Sequence, residues 1–184
     1  MLARSSNATA AIGWTGLTCG VMDITAAFLV YGLVYGVRPV HLLQGIAAGL
    51  LSPAAAFQGG LATALLGLLC HFVIALGATA VYFVVSGKIN VLIEQVIPSG
   101  TVYGVAVYFF MQGVVHLSRA VKYQFSLQLM IIGVVIHIFC VGLPIAVLLR
   151  RLSPKGALLR DAERRIPLVC SHAQQGRKRQ QLSR

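Results

Sequence analysis

The sequence predicts an all-α polytopic membrane protein: four transmembrane helices in a bundle, a short re-entrant or interfacial helix, and a basic C-terminal tail. Hydrophobic residues make up 58% of the 184 residues and charged residues only 10%, which excludes a soluble domain. Four apolar stretches reach the roughly 20 residues that a spanning helix needs. Residues 150–184 hold 10 of the 15 basic residues but 2 of the 4 acidic ones, so the positive charge belongs to the tail.

We predict spans at about residues 11–35, 61–85, 100–121 and 126–149, within one membrane domain over residues 1–149. The stretch 40–57 is shorter, follows Pro39 and is broken by Ser52-Pro53, so we interpret it as interfacial or re-entrant; whether it spans is left open. The first stretch is too long for a cleavable signal segment, which makes it a retained helix.

The basic tail over residues 150–184 predicts the topology. Lys and Arg gather in cytoplasmic segments, so the pair Arg150-Arg151 places the C-terminus inside, and four spans then place the N-terminus inside as well. We expect the tail to lie on anionic lipid head groups and to bind no nucleic acid; the alternative is a basic tail that only satisfies the topology rule. The predicted lipid contacts are Arg150, Arg151, Arg160, Arg164 and Arg165.

Each predicted span carries one hydrogen-bonding or ionisable residue near its middle. These are Asp23, His71, Gln112 and His137, which we call the midplane cluster. Polar side chains are costly in hydrocarbon and tend to face a bundle interior. Hydrogen bonds from His and Gln also fix helix register, at about 0.6 to 2 kcal/mol each, so a packing role is the simplest alternative. A carboxyl at mid-membrane must be protonated, paired or hydrated, which makes Asp23 the strongest functional candidate.

Further polar residues flank this cluster. Tyr108, His116 and Arg119 share a helical stripe with Gln112 and predict a polar path towards the outer surface. On the inner side, Cys19 and Cys140 lie at similar depth, and we interpret them as small hydrophobes because buried cysteine usually plays that part.

Small residues at helical spacing predict the contact faces of the helices, because they let backbones approach closely in lipid. In the last span, Met130, Gly133, His137, Cys140 and Pro144 share one predicted face. The GxxxG pairs, which also permit a dimer, are Gly16/Gly20, Gly32/Gly36, Gly45/Gly49 and Gly100/Gly104.

Three functions compete on the sequence alone. The first is a transport-type or proton-handling protein in which Asp23 exchanges protons with His71 or His137. The second is a redox protein, with the two histidines on a haem, or with Cys19, Cys140 and the histidines on a soft metal. The third is an assembly or anchor protein in a larger membrane complex. No nucleophile with an adjacent base and no zinc motif is apparent, so we predict neither an enzyme nor a cofactor, and the metal question stays open.

Several segments resemble an uncharacterised family of small four-helix inner-membrane proteins of bacteria. They are DITAA at residues 23–27, LQGIAAGLL at 43–51, FQGG at 57–60 and GLLCHF at 67–72. The resemblance runs from about Gly20 to Pro144 and implies the fold and a bacterial inner membrane, but no activity. Gln112 and His116 replace the Asn and Pro of the family pattern, which weakens any role assigned to the third span.

Overall fold

The structure, a computed structural model, describes residues 2–117 and 126–153 together with residues 156 and 158. This part of the chain is all-helical and contains no strand. The helices are α1 (Leu2–Tyr35), α2 (Pro39–Ala47), α3 (Pro53–Gln58), α4 (Gly60–Lys88), α5 (Val91–Glu94), α6 (Val96–Leu117), α7 (Leu127–Ile136), a π-helical segment (His137–Gly142) and α8 (Leu143–Leu152).

Three helices in the described residues are long and apolar enough to cross a membrane: Ala8–Tyr35, Gly60–Lys88 and Leu127–Leu152. They coincide with the first, second and fourth predicted spans. The last of them is continuous through α7, the π-helical segment and α8. The predicted span 100–121 coincides with α6 up to Leu117, and its residues 118–121 lie outside the described part of the chain.

Two short helices, α2 and α3, occupy the region 40–57, where one helix was expected. The break falls at Ser52, whose side chain accepts a hydrogen bond from the Ala55 N–H at 3.3 Å, with Pro53 at the first helical position. This is a favourable helix start, because the hydroxyl satisfies one orphan donor and proline loses no bond there.

Gly36 ends α1 rather than contacting another helix. Its φ of +65° is left-handed, and the N–H groups of Gly36 and Val37 bond to the carbonyls of Gly32 and Tyr31 at 3.1 and 3.0 Å. The bond from Gly36 to Gly32 is the 5→1 bond of an αL cap, a conformation that glycine favours because it has no Cβ. The spacing of Gly32 and Gly36 therefore belongs to a helix end.

The π-helical segment changes which face of the last span is buried. Its N–H to C=O bonds skip one residue more than in an α-helix, as in the bond from the Leu143 N–H to the Ile138 carbonyl. The predicted face ran through Cys140 and Pro144, but both are only half-buried. The buried residues after Gly133 are Val141, Gly142, Ile145, Ala146 and Leu149. The extra residue in the wider turn accounts for the difference.

Helices α1 and α4 run antiparallel and pack closely. A Cβ added at Gly16 would lie 2.7 Å from Leu76 Cδ2, and one at Gly20 would lie 2.8 Å from Phe72 Cδ1. Helix α1 also contacts α8 and the π-helical segment, so it packs against both α4 and the last span.

Glycines also bring α6 against the π-helical segment. A Cβ added at Gly104 would lie 2.7 Å from the His137 carbonyl oxygen, and one at Gly142 would collide with the Gly100 carbonyl oxygen. Because both partners are backbone atoms, α6 and the last span touch main chain to main chain over this stretch.

Two tyrosines, one near the end of α4 and one near the start of α6, hold these helices together. The Tyr82 hydroxyl donates to the Leu92 carbonyl at 2.7 Å and the Tyr103 hydroxyl donates to the Ala78 carbonyl at 2.6 Å, while their rings meet edge-on at 4.9 Å. The buried core around them consists of Ala11, Cys19, Tyr82, Val141, Ile145, Ala146 and Leu149.

Candidate intramembrane polar site

Asp23 lies on α1 beside two cysteines. Cys19 precedes Asp23 by four residues on the same face of α1, and Cys140 lies within electrostatic range of both. Cys19 is 1% exposed, whereas Cys140 comes from the π-helical segment and is half-buried. Asp23, which is also half-buried, therefore lies near the seam where α1 contacts the last span.

Thr15 lies further along this seam, towards the N-terminus of α1. It lies two turns before Asp23 on the same face of α1 and is 0% exposed, yet its hydroxyl has no hydrogen-bond partner. A buried hydroxyl without a partner carries a cost of about 1–3 kcal/mol, so this position is energetically unfavourable unless a further polar group reaches it.

His71 joins α4 to α1 just below Asp23. Its Nε2–H donates to the Gly20 carbonyl at 2.9 Å, because a carbonyl can only accept. Gly20 precedes Asp23 by three residues, less than one helical turn of about 5.4 Å. The other ring nitrogen, Nδ1, then carries the lone pair of the neutral imidazole and is able to accept a proton.

His137 lies in the last span, where its ring packs against Tyr108 of α6. Its Nδ1–H donates to the Gly133 carbonyl at 2.8 Å, which leaves Nε2 as the accepting nitrogen. Cys140, the neighbour of Asp23, follows His137 by three residues in the π-helical segment. Each histidine is thus held through one ring nitrogen, His71 by the carbonyl three residues before Asp23 and His137 by a carbonyl of its own helix.

Gln112 lies further out and belongs to a pair on α6. Its Nε2 donates to the Tyr108 hydroxyl at 2.7 Å, and the Tyr108 ring packs edge-on against the His137 ring at a centroid distance of 5.4 Å. Tyr108 is buried over Gly133, whereas Gln112 is exposed on the outside of the helix. Gln112 is therefore linked to His137 through the Tyr108 side chain.

The structure brings Asp23 to the two cysteines and brings Gln112 to His137 through Tyr108. Within the described residues, Asp23 makes no direct hydrogen bond to either histidine. Of the predicted outer path, Tyr108 is buried beside His137; the side chain of His116 and all of Arg119 lie outside the described part.

Of the predicted lipid contacts, two are described. The Arg150 Nη1 donates to the Glu94 carbonyl at 3.0 Å, and Arg151 is exposed at the end of the span. Arg160, Arg164 and Arg165 lie outside the described residues.

One feature of this site gives no signal in the sequence. The spacing of four from Thr15 through Cys19 to Asp23 was visible in the sequence, but nothing in it showed that the hydroxyl would lack a partner. The proximity of Cys19 and Cys140 matched their similar depth, which was the available signal. For the soft-metal alternative, no group of three His, Cys, Asp or Glu in the described ranges is arranged to hold a metal ion.

The fold and the site define an all-helical protein with three helices able to cross a membrane and a polar seam between them. Comparison of the chain with protein-family models, with curated proteins and with solved structures found no match.

Proposed function

We propose that this chain is a transport-type, proton-handling membrane protein in which Asp23 is the titrating group. The observation that carries the proposal is the surroundings of Asp23. It lies within electrostatic range of Cys19 and Cys140, and the buried hydroxyl of Thr15, two turns earlier on the same face of α1, has no hydrogen-bond partner. Ionisable residues inside membrane helices are expensive and mark ion or proton pathways more often than packing contacts.

The two histidines supply proton acceptors near Asp23. One ring nitrogen of each histidine donates a hydrogen bond, from His71 to Gly20 and from His137 to Gly133. The other nitrogen of the neutral ring is therefore able to accept a proton, and the first bond fixes its position. Imidazole exchanges protons near neutral pH. Since the carboxyl does not bond to either ring directly, transfer between them would pass through bridging water.

The π-helical segment supports a functional role for this level of the bundle. Isolated π-helical turns occur frequently at functional sites, and this one carries both His137 and Cys140. It also carries Gly142, where α6 approaches most closely.

The proposal assumes four spans, with α6 as the third. Its 22 residues extend for about 33 Å, comparable with a hydrocarbon core of about 30 Å, and it lies antiparallel along the last span. The resemblance of the chain points to a bacterial inner membrane, and Arg150-Arg151 to cytoplasmic termini. A homo-oligomer or a larger membrane complex is compatible with this arrangement.

The topology is tested by reporter fusions. Fusions at Gly87 and after Arg151 should be cytoplasmic, and a fusion at Gln58 should be on the opposite side, because an even number of spans returns the chain to the side on which it began. A cytoplasmic reporter at Gln58 would rule out this arrangement.

Proton handling is tested by infrared titration of the purified protein together with proton flux in proteoliposomes. In Asp23→Asn, the titrating carboxylic C=O band of Asp23 should vanish and the proton flux should fall at least tenfold. The control is Glu94→Gln, which removes a carboxyl outside the long helices. It should leave the band and the flux unchanged. His71→Gln and His137→Asn keep a donor at the position of the bonded nitrogen but remove the titrating ring. Each should shift the Asp23 titration midpoint, because interacting groups titrate as a set.

Two results would contradict the proposal. One is an Asp23 band that does not change between about pH 5 and 8, the range in which histidine exchanges protons. The other is a wild-type flux no greater than that of protein-free vesicles. Unchanged midpoints in both histidine variants would remove His71 and His137 from the site and leave Asp23 acting alone.

A further inference from the structure

A cleft opens where the last span ends, between the start of α6 and the final turns of α8. Its volume is about 330 Å³, and it is lined by Val96, Ile97, Val147, Arg150 and Arg151. Three of these side chains are apolar and two carry a permanent positive charge. Because the span ends at Leu152, the two arginines lie at the membrane boundary, where lipid head groups are found.

The arginines differ in how they are held. Arg150 is half-buried, and its Nη1 donates to the Glu94 carbonyl at 3.0 Å, which fixes its guanidinium beside the first residues of α6. Arg151 is exposed at the mouth of the cleft. Gly156 lies against the Arg150 carbonyl. The side chain and the main chain of Arg150 are therefore both held in place at the charged side of the cleft.

We propose that this cleft binds one anionic phospholipid. The phosphate of the head group contacts the guanidinium groups of Arg150 and Arg151, which suit phosphate oxygens because their N–H groups form a planar fork. The upper part of an acyl chain lies along Val96, Ile97 and Val147. A nucleic acid or a soluble phosphate would use the charge but leave the apolar wall wet, whereas a lipid matches both parts of the lining.

The test measures retention of dioleoylphosphatidylglycerol and dioleoylphosphatidylcholine by the full-length protein in detergent, using native mass spectrometry. The wild type should retain one phosphatidylglycerol in preference to phosphatidylcholine. Arg151→Gln, at an exposed position that should not affect folding, should weaken phosphatidylglycerol binding about fivefold, in line with the contribution of one arginine near an anionic surface. Arg150→Gln combined with Arg151→Gln should abolish the preference.

Two further variants distinguish lipid binding in the cleft from binding to any positively charged surface. Lys88→Gln removes one positive charge at the end of another span but does not line the cleft, and it should have no effect. Ile97→Trp leaves all charges in place and fills the cleft; because Ile97 is 73% exposed, the change should not affect folding, and it should weaken binding at least as much as Arg151→Gln.

The proposal is overturned by equal retention of the two lipids, by a Lys88→Gln effect as large as that of Arg151→Gln, or by an Ile97→Trp protein that binds like wild type. Glycerol phosphate, which has no acyl chain, should compete poorly. If it competes as well as phosphatidylglycerol, the site binds phosphate alone and the lipid assignment is wrong.

Discussion

Alanine in place of Gly142 is expected to lower the free energy of unfolding by about 3 kcal/mol, at the upper end of the usual cost of overpacking. The added Cβ would collide with the Gly100 carbonyl oxygen and lie close to the Gly104 backbone. No side chain can rotate to relieve this contact, so α6 must move away from the π-helical segment. The measurement is a denaturant titration of the purified protein in mixed micelles.

Gly113→Ala is the matched control for this change. Gly113 also lies on α6, but nothing is within 4 Å of the position of an added Cβ. Alanine favours a helix over glycine by up to about 1 kcal/mol, so the control should be neutral or slightly more stable. Equal behaviour of the two variants would mean that α6 does not approach the last span at Gly142.

Alanine in place of Gly67 should detach α2 from α4 with a cost of similar size, about 2–3 kcal/mol. An added Cβ there would collide with the Leu43 carbonyl oxygen and lie 3.3 Å from the Ala47 backbone nitrogen. The same displacement would strain the bond from the Gln44 amide to the Gly60 carbonyl, which is 2.9 Å in the folded protein. The loss should appear both in unfolding titrations and as faster proteolysis between α2 and α3.

Gly77→Ala provides the control on the same helix, since an added Cβ there would meet nothing within 4 Å. If Gly67→Ala proved as stable as Gly77→Ala and as resistant to protease, α2 would not be packed on α4 as described.

Hydrophobic length was sufficient to predict the all-helical class and the three long apolar helices, because a run of about 20 apolar residues has few other stable forms. The break at Ser52-Pro53 could also be predicted from the sequence, since it depends on local chemistry. The contacts between helices were harder to predict. Gly16, Gly20, Gly100 and Gly104 all lie in close contacts, whereas Gly36 forms a cap, and the GxxxG spacing alone does not separate the two cases.

The arrangement of the candidate site could not be predicted from the sequence pattern. Asp23 lies near Cys140 because of how two helices are rotated about their axes. That rotation follows from packing along their whole length. The missing partner of Thr15 is equally a property of its surroundings. The π-helical segment has one local signal, Pro144, which lacks an N–H, but a proline can also be accommodated by a kink.

The π-helical segment changes the direction in which side chains point between the two halves of the last span. In an α-helix each residue rotates the side-chain direction by about 100°. The additional residue in the wider turn therefore rotates the side chains after Gly142 by about that angle. The half before the segment meets Tyr108 through Gly133, and the half after it, turned relative to the first, presents Arg150 to Glu94. The segment therefore sets which side chains of the last span meet their neighbours on either side of it, without breaking the helix.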